Sequence, residues 1–82
     1  MSEIQDITAP FPGILYRRAD PGSAPFAEVD HMISAGDVIA LVEVMKMFHE
    51  VQSPVSGRLV EFCVDDGDAV AMGKAIARVE LS

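Results

Sequence analysis

The chain has 82 residues, enough for one domain. A chain this short buries only about 60% of its unfolded surface, which leaves no room for both a core and a deep substrate pocket. Thirteen acidic residues against six basic ones give a net charge of -7, the wrong sign for a nucleic-acid surface.

Half the residues are hydrophobic and 23% are charged, the balance of a folded domain rather than a disordered tail. Glu3 and Asp6 stand where a signal peptide would need basic residues, and no apolar run approaches the roughly 20 residues that span a bilayer. The single cysteine, Cys63, lies in an apolar run and reads as an inert buried thiol. A small, acidic, cytoplasmic module with no membrane and no nucleic-acid partner is expected.

In chain order, Pro12-Gly13 precedes the apolar run 14–16, and a polar loop with Pro21 and Pro25 follows over residues 17–25. Ala35-Gly36-Asp37 then leads into the apolar run 38–44. After Ser53-Pro54-Val55-Ser56-Gly57 come the runs 59–64 and 75–79, separated by turn residues at 65–68 and 72–74. Short runs rich in β-branched and large apolar residues, with this punctuation, predict an all-β sandwich or barrel.

Two segments recur. Residues 9–15 (A-P-F-P-G-I-L) resemble 53–59 (S-P-V-S-G-R-L) at an offset of 44, and residues 33–43 resemble 70–80 at an offset of 37. Two copies of one supersecondary unit are therefore expected, the first carrying a seven-residue surplus between Leu15 and Ile33. The junction between the copies holds the sharpest anomaly. From Val38 to Val51 there is no glycine, proline, asparagine or aspartate, although strands usually run about five or six residues. A fold-back inside that stretch is expected, and a pseudo-two-fold puts it midway between Gly36 and Gly57, at Lys46. The tip would then consist of residues that hairpin turns do not favour, a hint that the side chains themselves matter.

Glu43-Val44-Met45-Lys46-Met47 resembles the biotin attachment sequence of biotinyl domains, usually E-A-M-K-M, in which the lysine carries the cofactor. Residues 9–16, 53–57 and 64–70 extend the resemblance to biotin carboxyl carrier proteins over most of the chain. It implies a flattened barrel of two four-stranded antiparallel sheets with quasi-two-fold symmetry, a barrel-sandwich hybrid. Residues 1–8 are then a short N-terminal extension and residues 9–80 the biotinyl domain. The surplus matches a loop called the thumb, which protrudes beside the biotin in carriers of acetyl-CoA carboxylase. Here it would comprise Arg17, Arg18, Ala19, Asp20, Pro21, Gly22, Ser23, Ala24, Pro25 and Phe26.

The same resemblance implies a non-catalytic carrier serving a biotin carboxylase and a carboxyltransferase that acts on an acyl-CoA, with acetyl-CoA and fatty acid synthesis favoured by the thumb. A biotin protein ligase would load it, the deprotonated Lys46 amine attacking the activated biotin carboxyl group. Arginine could not replace it, being protonated and delocalised. Met45 and Met47 would flank the arm as a soft recognition surface, and Glu43, Val44 and Glu50 would meet the ligase or another partner. Val44 departs from the usual alanine and adds bulk at the docking site. Asp30-His31 stand where the family has Gly-Asp, and aspartate tolerates the left-handed turn. A lipoyl carrier shares the fold but usually has aspartate before and alanine after its lysine, and an unmodified β binding module is the other alternative. No metal site is expected, since His49-Glu50 lacks a second histidine and Asp65-Asp66-Gly67-Asp68 lacks a calcium loop's closing glutamate.

Overall fold

Alternate residues of the two long strands turn inward, and that alternation fixes where the core lies. In the computed structural model, which describes residues 3–81, eight strands form two four-stranded antiparallel sheets. They are β1 (Ile4–Thr8), β2 (Gly13–Tyr16), β3 (Met32–Ile33), β4 (Val38–Val44), β5 (Met47–Gln52), β6 (Gly57–Phe62), β7 (Ala69–Val70) and β8 (Ala75–Leu81). One sheet has the order β1-β8-β6-β3 and the other β5-β4-β2-β7. Among the described residues, no helix is long and apolar enough to cross a membrane.

The repeat is realised pair for pair. Leu15 faces Val42 across β2 and β4, and Leu59 faces Val79 across β6 and β8, the offsets being those of the sequence repeat. The largest fully buried apolar side chains fall into the same pairs: Leu15 with Leu59, Ile39 with Ile76, Val42 with Val79. Each such side chain contributes about 2 kcal/mol by leaving water, so each half supplies its share of one common core. Gly13 and Gly57 mark the close crossing in each half. A Cβ on Gly13 would run into the Glu43 carbonyl oxygen, and one on Gly57 into that of Glu80. The surplus lies in the β2–β3 connection, between Tyr16 and Met32.

Two expectations need correction. Within the segment set apart as an N-terminal extension, residues 4–8 form β1 and pair with β8, so the folded domain begins before residue 9. The repeat explains why: Ile4 faces Glu80 as Phe48 faces Glu43, and Ile7 faces Ala77 as Val51 faces Ala40. β1 is thus the counterpart of β5. Its alternation was obscured because Gln5 and Asp6 interrupt the apolar residues. Cys63 is exposed rather than buried, just beyond β6. It lies near Arg78, whose guanidinium is raised above its ordinary value by the nearby Cys63, Asp6 and Glu61 side chains. Asp30 adopts the left-handed conformation expected of it, at φ 74°, and accepts a 2.6 Å hydrogen bond from Arg58 that holds the turn.

Candidate functional site

Strand pairing carries Lys46 to the outermost point of a tight hairpin. β4 and β5 stay in register up to Val44 opposite Met47, leaving Met45 and Lys46 as the two-residue loop. Both are left-handed, at φ 51° and 68°, the geometry of a type I′ turn, whose twist matches that of the strands. Such a turn favours Asn-Gly, so two ordinary side chains here are held against local preference. Lys46 is exposed, and the methionines beside it are not core filler: Met45 is 92% and Met47 65% accessible. A flexible thioether side chain on each flank gives the lysine an adaptable apolar collar.

Behind the tip, the outer face of the sheet brings together residues from three strands. Glu43 of β4 lies opposite Ile14 of β2 and Phe48 of β5. Tyr16, one step along β2 on the same face, reaches diagonally and donates its phenol hydrogen to Glu43 Oε1 at 3.0 Å. Its ring is tilted against Phe48 with centroids 6.0 Å apart. The hydrogen bond to Glu43, then burial, then the charges of Glu43 and Asp66 push the phenol above the usual tyrosine range. Val44 turns the other way and packs, half-buried, against the core. Its side chain is thus directed inward, away from the face that carries Tyr16, Glu43 and Phe48. Glu50, opposite Leu41, shares the outer face with Phe48, two residues farther from the tip along β5. His49 points to the other face, where its ring meets Phe11 at 4.7 Å.

The loop over residues 17–26 is closed at its base and stapled at its tip. The Phe26 N–H donates to the Arg17 carbonyl at 2.9 Å. At the tip, Asp20 accepts from the Gly22 N–H at 3.0 Å and the Ser23 hydroxyl at 2.9 Å, while Arg18 donates to the Ser23 carbonyl at 3.3 Å. Arg17 is held by the second half of the chain. Its backbone N–H donates to Asp66 at 2.6 Å and its guanidinium lies 4.0 Å above the Phe62 ring. Arg17 is thus tied to the body of the domain, while Ala19 to Gly22 are exposed. Ala19, Asp20 and Pro21 enclose, with Tyr16, Arg18, Phe48 and Asp66, a cavity of about 320 Å³ beside the hairpin face.

Sequence reasoning missed three of these lining residues. Tyr16 is the chain's only tyrosine and alternates with the inward Leu15, which places its polar tip outside. Phe48 is an aromatic on an outward position of β5, 58% accessible. Asp66 was hidden within a run that reads fully as a turn, because its partner Arg17 is 49 residues away.

Comparison with known proteins bears on this geometry. The sequence profile of the family described as "biotin-requiring enzyme" (biotin–lipoyl) matches residues 5–79. A biotin carboxyl carrier protein of acetyl-CoA carboxylase from Nostoc sp. is 31% identical over 95% of the chain and 43% of its own length. The protein of the same name from Pseudomonas aeruginosa is 38% identical over 78% of the chain and 41% of its own length. The chain thus spans well under half the length of these two relatives. Among solved structures, that of a single-chain, multi-domain long-chain acyl-CoA carboxylase matches with a TM-score of 0.80 at 22% identity, over 96% of the chain and 7% of the enzyme. That of the Kluyveromyces lactis urea carboxylase matches with a TM-score of 0.77 at 22% identity, over 94% of the chain and 6% of the enzyme.

Proposed function

Because the chain belongs to the biotin–lipoyl attachment family, we propose that it is the carrier part of a biotin-dependent carboxylase, holding biotin as an amide on Lys46. The observation that carries this reading is the exposed lysine at a type I′ tip between two exposed methionines. When bound, biotin supplies a ureido nitrogen that can bear a carboxyl group between two partner enzymes. Those partners are a biotin carboxylase and a carboxyltransferase acting on an acyl-CoA, with acetyl-CoA favoured by the names of the relatives. A biotin protein ligase loads the lysine, and the cytoplasm is the proposed place of work.

The residues present fit the group. The cavity beside the hairpin, about 320 Å³, is at the lower end of the roughly 300–1,000 Å³ typical of small-ligand sites. Arg18, Pro21, Phe48 and the Tyr16 ring would line its ring system, the guanidinium offering hydrogen bonds and the rings apolar contact. The protein's own task is presentation. The rigid turn fixes the base of the arm, the methionine collar limits water there, and tethering raises the effective concentration of the cargo at each partner. No general acid or base is needed from the carrier.

Intact-mass analysis after incubation with biotin, ATP and a biotin protein ligase tests the assignment. One biotin per chain is expected, lost in Lys46→Arg and retained in Lys74→Arg, the other lysine. Uptake at Lys74 or no mass change would sink it.

A further inference from the structure

We propose that Tyr16 is a positioning residue for the loading reaction: its phenol holds the Glu43 carboxylate in the orientation that the biotin protein ligase reads. The inference rests on the carrier reading above and assigns a role within it.

The geometry carries it in three steps. Glu43 stands three residues before Lys46 on the outer face of β4, which a protein approaching the tip must meet. Glutamate has many rotamers, and a partner that binds it must otherwise freeze them at the moment of docking. Here they are restrained beforehand by the 3.0 Å bond from Tyr16, and the Tyr16 ring is itself steadied against Phe48.

The second step is the comparison with the other half of the molecule. Glu80 is the counterpart of Glu43, since each lies beside the close-crossing glycine of its half. There the restraint comes from Arg58, whose Nε lies 3.5 Å from Glu80 Oε1. By the repeat offset Val60 answers to Tyr16, but β6 shifts register there and Glu61 takes the place opposite Arg78; Ile4 stands opposite Glu80 as Phe48 stands opposite Glu43. A fold built twice uses the phenol once, in the half that bears the lysine. The folding requirement is met without it.

The third step is the chemistry of the two restraints. Arginine holds a carboxylate by neutralising it. A phenol is a neutral donor, so it fixes the carboxylate and leaves its negative charge available to a partner. Glu43 is thereby both preoriented and still charged, the condition for an electrostatic docking contact.

The test is steady-state loading by a biotin protein ligase, with biotin and ATP saturating and the carrier varied. Tyr16→Phe keeps the ring against Phe48 and removes one oxygen. It should raise KM for the carrier roughly three- to tenfold with kcat unchanged, the mark of lost docking rather than lost chemistry. In a Glu43→Ala background the same change should add nothing, because the two act as one unit. Glu43→Gln keeps an acceptor for the phenol, so Tyr16→Phe should again raise KM there. An unchanged KM in Tyr16→Phe, or an equal loss in the Glu43→Ala background, overturns the proposal. Spectroscopic titration of this single tyrosine gives a second reading on the free protein. The phenol should ionise above the usual tyrosine range in the wild type and at lower pH in Glu43→Ala than in the wild type; an ordinary titration in the wild type, or no change in Glu43→Ala, overturns the proposal. If the wild-type chain accepts no biotin, the carrier assignment falls and takes this role with it. A normal wild type with an indifferent Tyr16→Phe sinks the role alone.

Discussion

Met45 and Lys46 each occupy a conformation that costs an L-residue about 1–2 kcal/mol, and the hairpin would close more easily without them. The expense makes sense only if the two side chains are wanted at the tip, since glycine and asparagine relieve it. Replacing the pair by Met45→Asn with Lys46→Gly should therefore stabilise the domain by about 1 kcal/mol, a Tm rise of about 4–8 °C for a chain this size. The same protein should take up no biotin. Calorimetry and intact mass read the two effects on one sample. A Tm that stays level or falls would show that the tip is not strained. This residue-scale tension was legible in the sequence as an unpunctuated run with a lysine at its middle, because turn chemistry is local. The Tyr16–Glu43 bond was not legible, because residues 27 apart meet only through the pairing of β2 with β4.

Among the elements, β4 and its counterpart β8 are each pressed against a glycine of the neighbouring strand. Gly13 and Gly57 allow those strands to cross where a methyl group would strike a carbonyl oxygen. Gly13→Ala and Gly57→Ala should each force the strand pair apart at a cost of about 2 kcal/mol or more, since the obstacle is backbone and cannot rotate away. Their consequences should diverge. Gly13→Ala displaces the Glu43 backbone and so should raise KM for loading, whereas Gly57→Ala acts on Glu80 and should leave loading unchanged below its Tm. Equal effects on loading would mean that general loosening, and not local displacement, is responsible. Motif and spacing had already revealed these glycines as repeat partners, along with β2, β4, β6 and β8. β1 escaped notice because Gln5 and Asp6 break its apolar pattern, and its place is set by pairing with β8 rather than by its own composition. The loop over 17–26 was legible as a surplus, but its base was not. Arg17 belongs to the body of the domain through Phe62 and Asp66, both supplied by the second half.

For the whole molecule, the two-fold poses a direct question: does the scaffold or the set of side chains make the tip a substrate? Leu81 and Glu3 are the counterparts of Val44 and Met47, and the Leu81 N–H already donates to the Glu3 carbonyl at 2.8 Å. Joining them through a two-residue Asn-Gly link, in place of residues 82, 1 and 2, would create a second hairpin of matching register. New ends can be opened in the exposed turn between Pro21 and Gly22, the kind of site where permutation is tolerated. This permutant should fold and still accept biotin at Lys46. A Met-Lys link with Glu3→Met and Lys46→Arg would then present Glu80-Leu81-Met-Lys-Met as the only tip motif. It repeats the pentapeptide and its strand frame but lacks the phenol and aromatic beside the glutamate, and Arg58 neutralises Glu80. Loading should be at least about tenfold slower than at Lys46, since anchors of this kind dominate docking energy. Adding Arg58→Ile frees Glu80 of its ion pair and Ile4→Phe supplies the aromatic opposite it, and together they should recover part of the rate. If the unadorned second tip loads as fast as Lys46, the motif and the scaffold are sufficient by themselves and Tyr16 has no part in recognition.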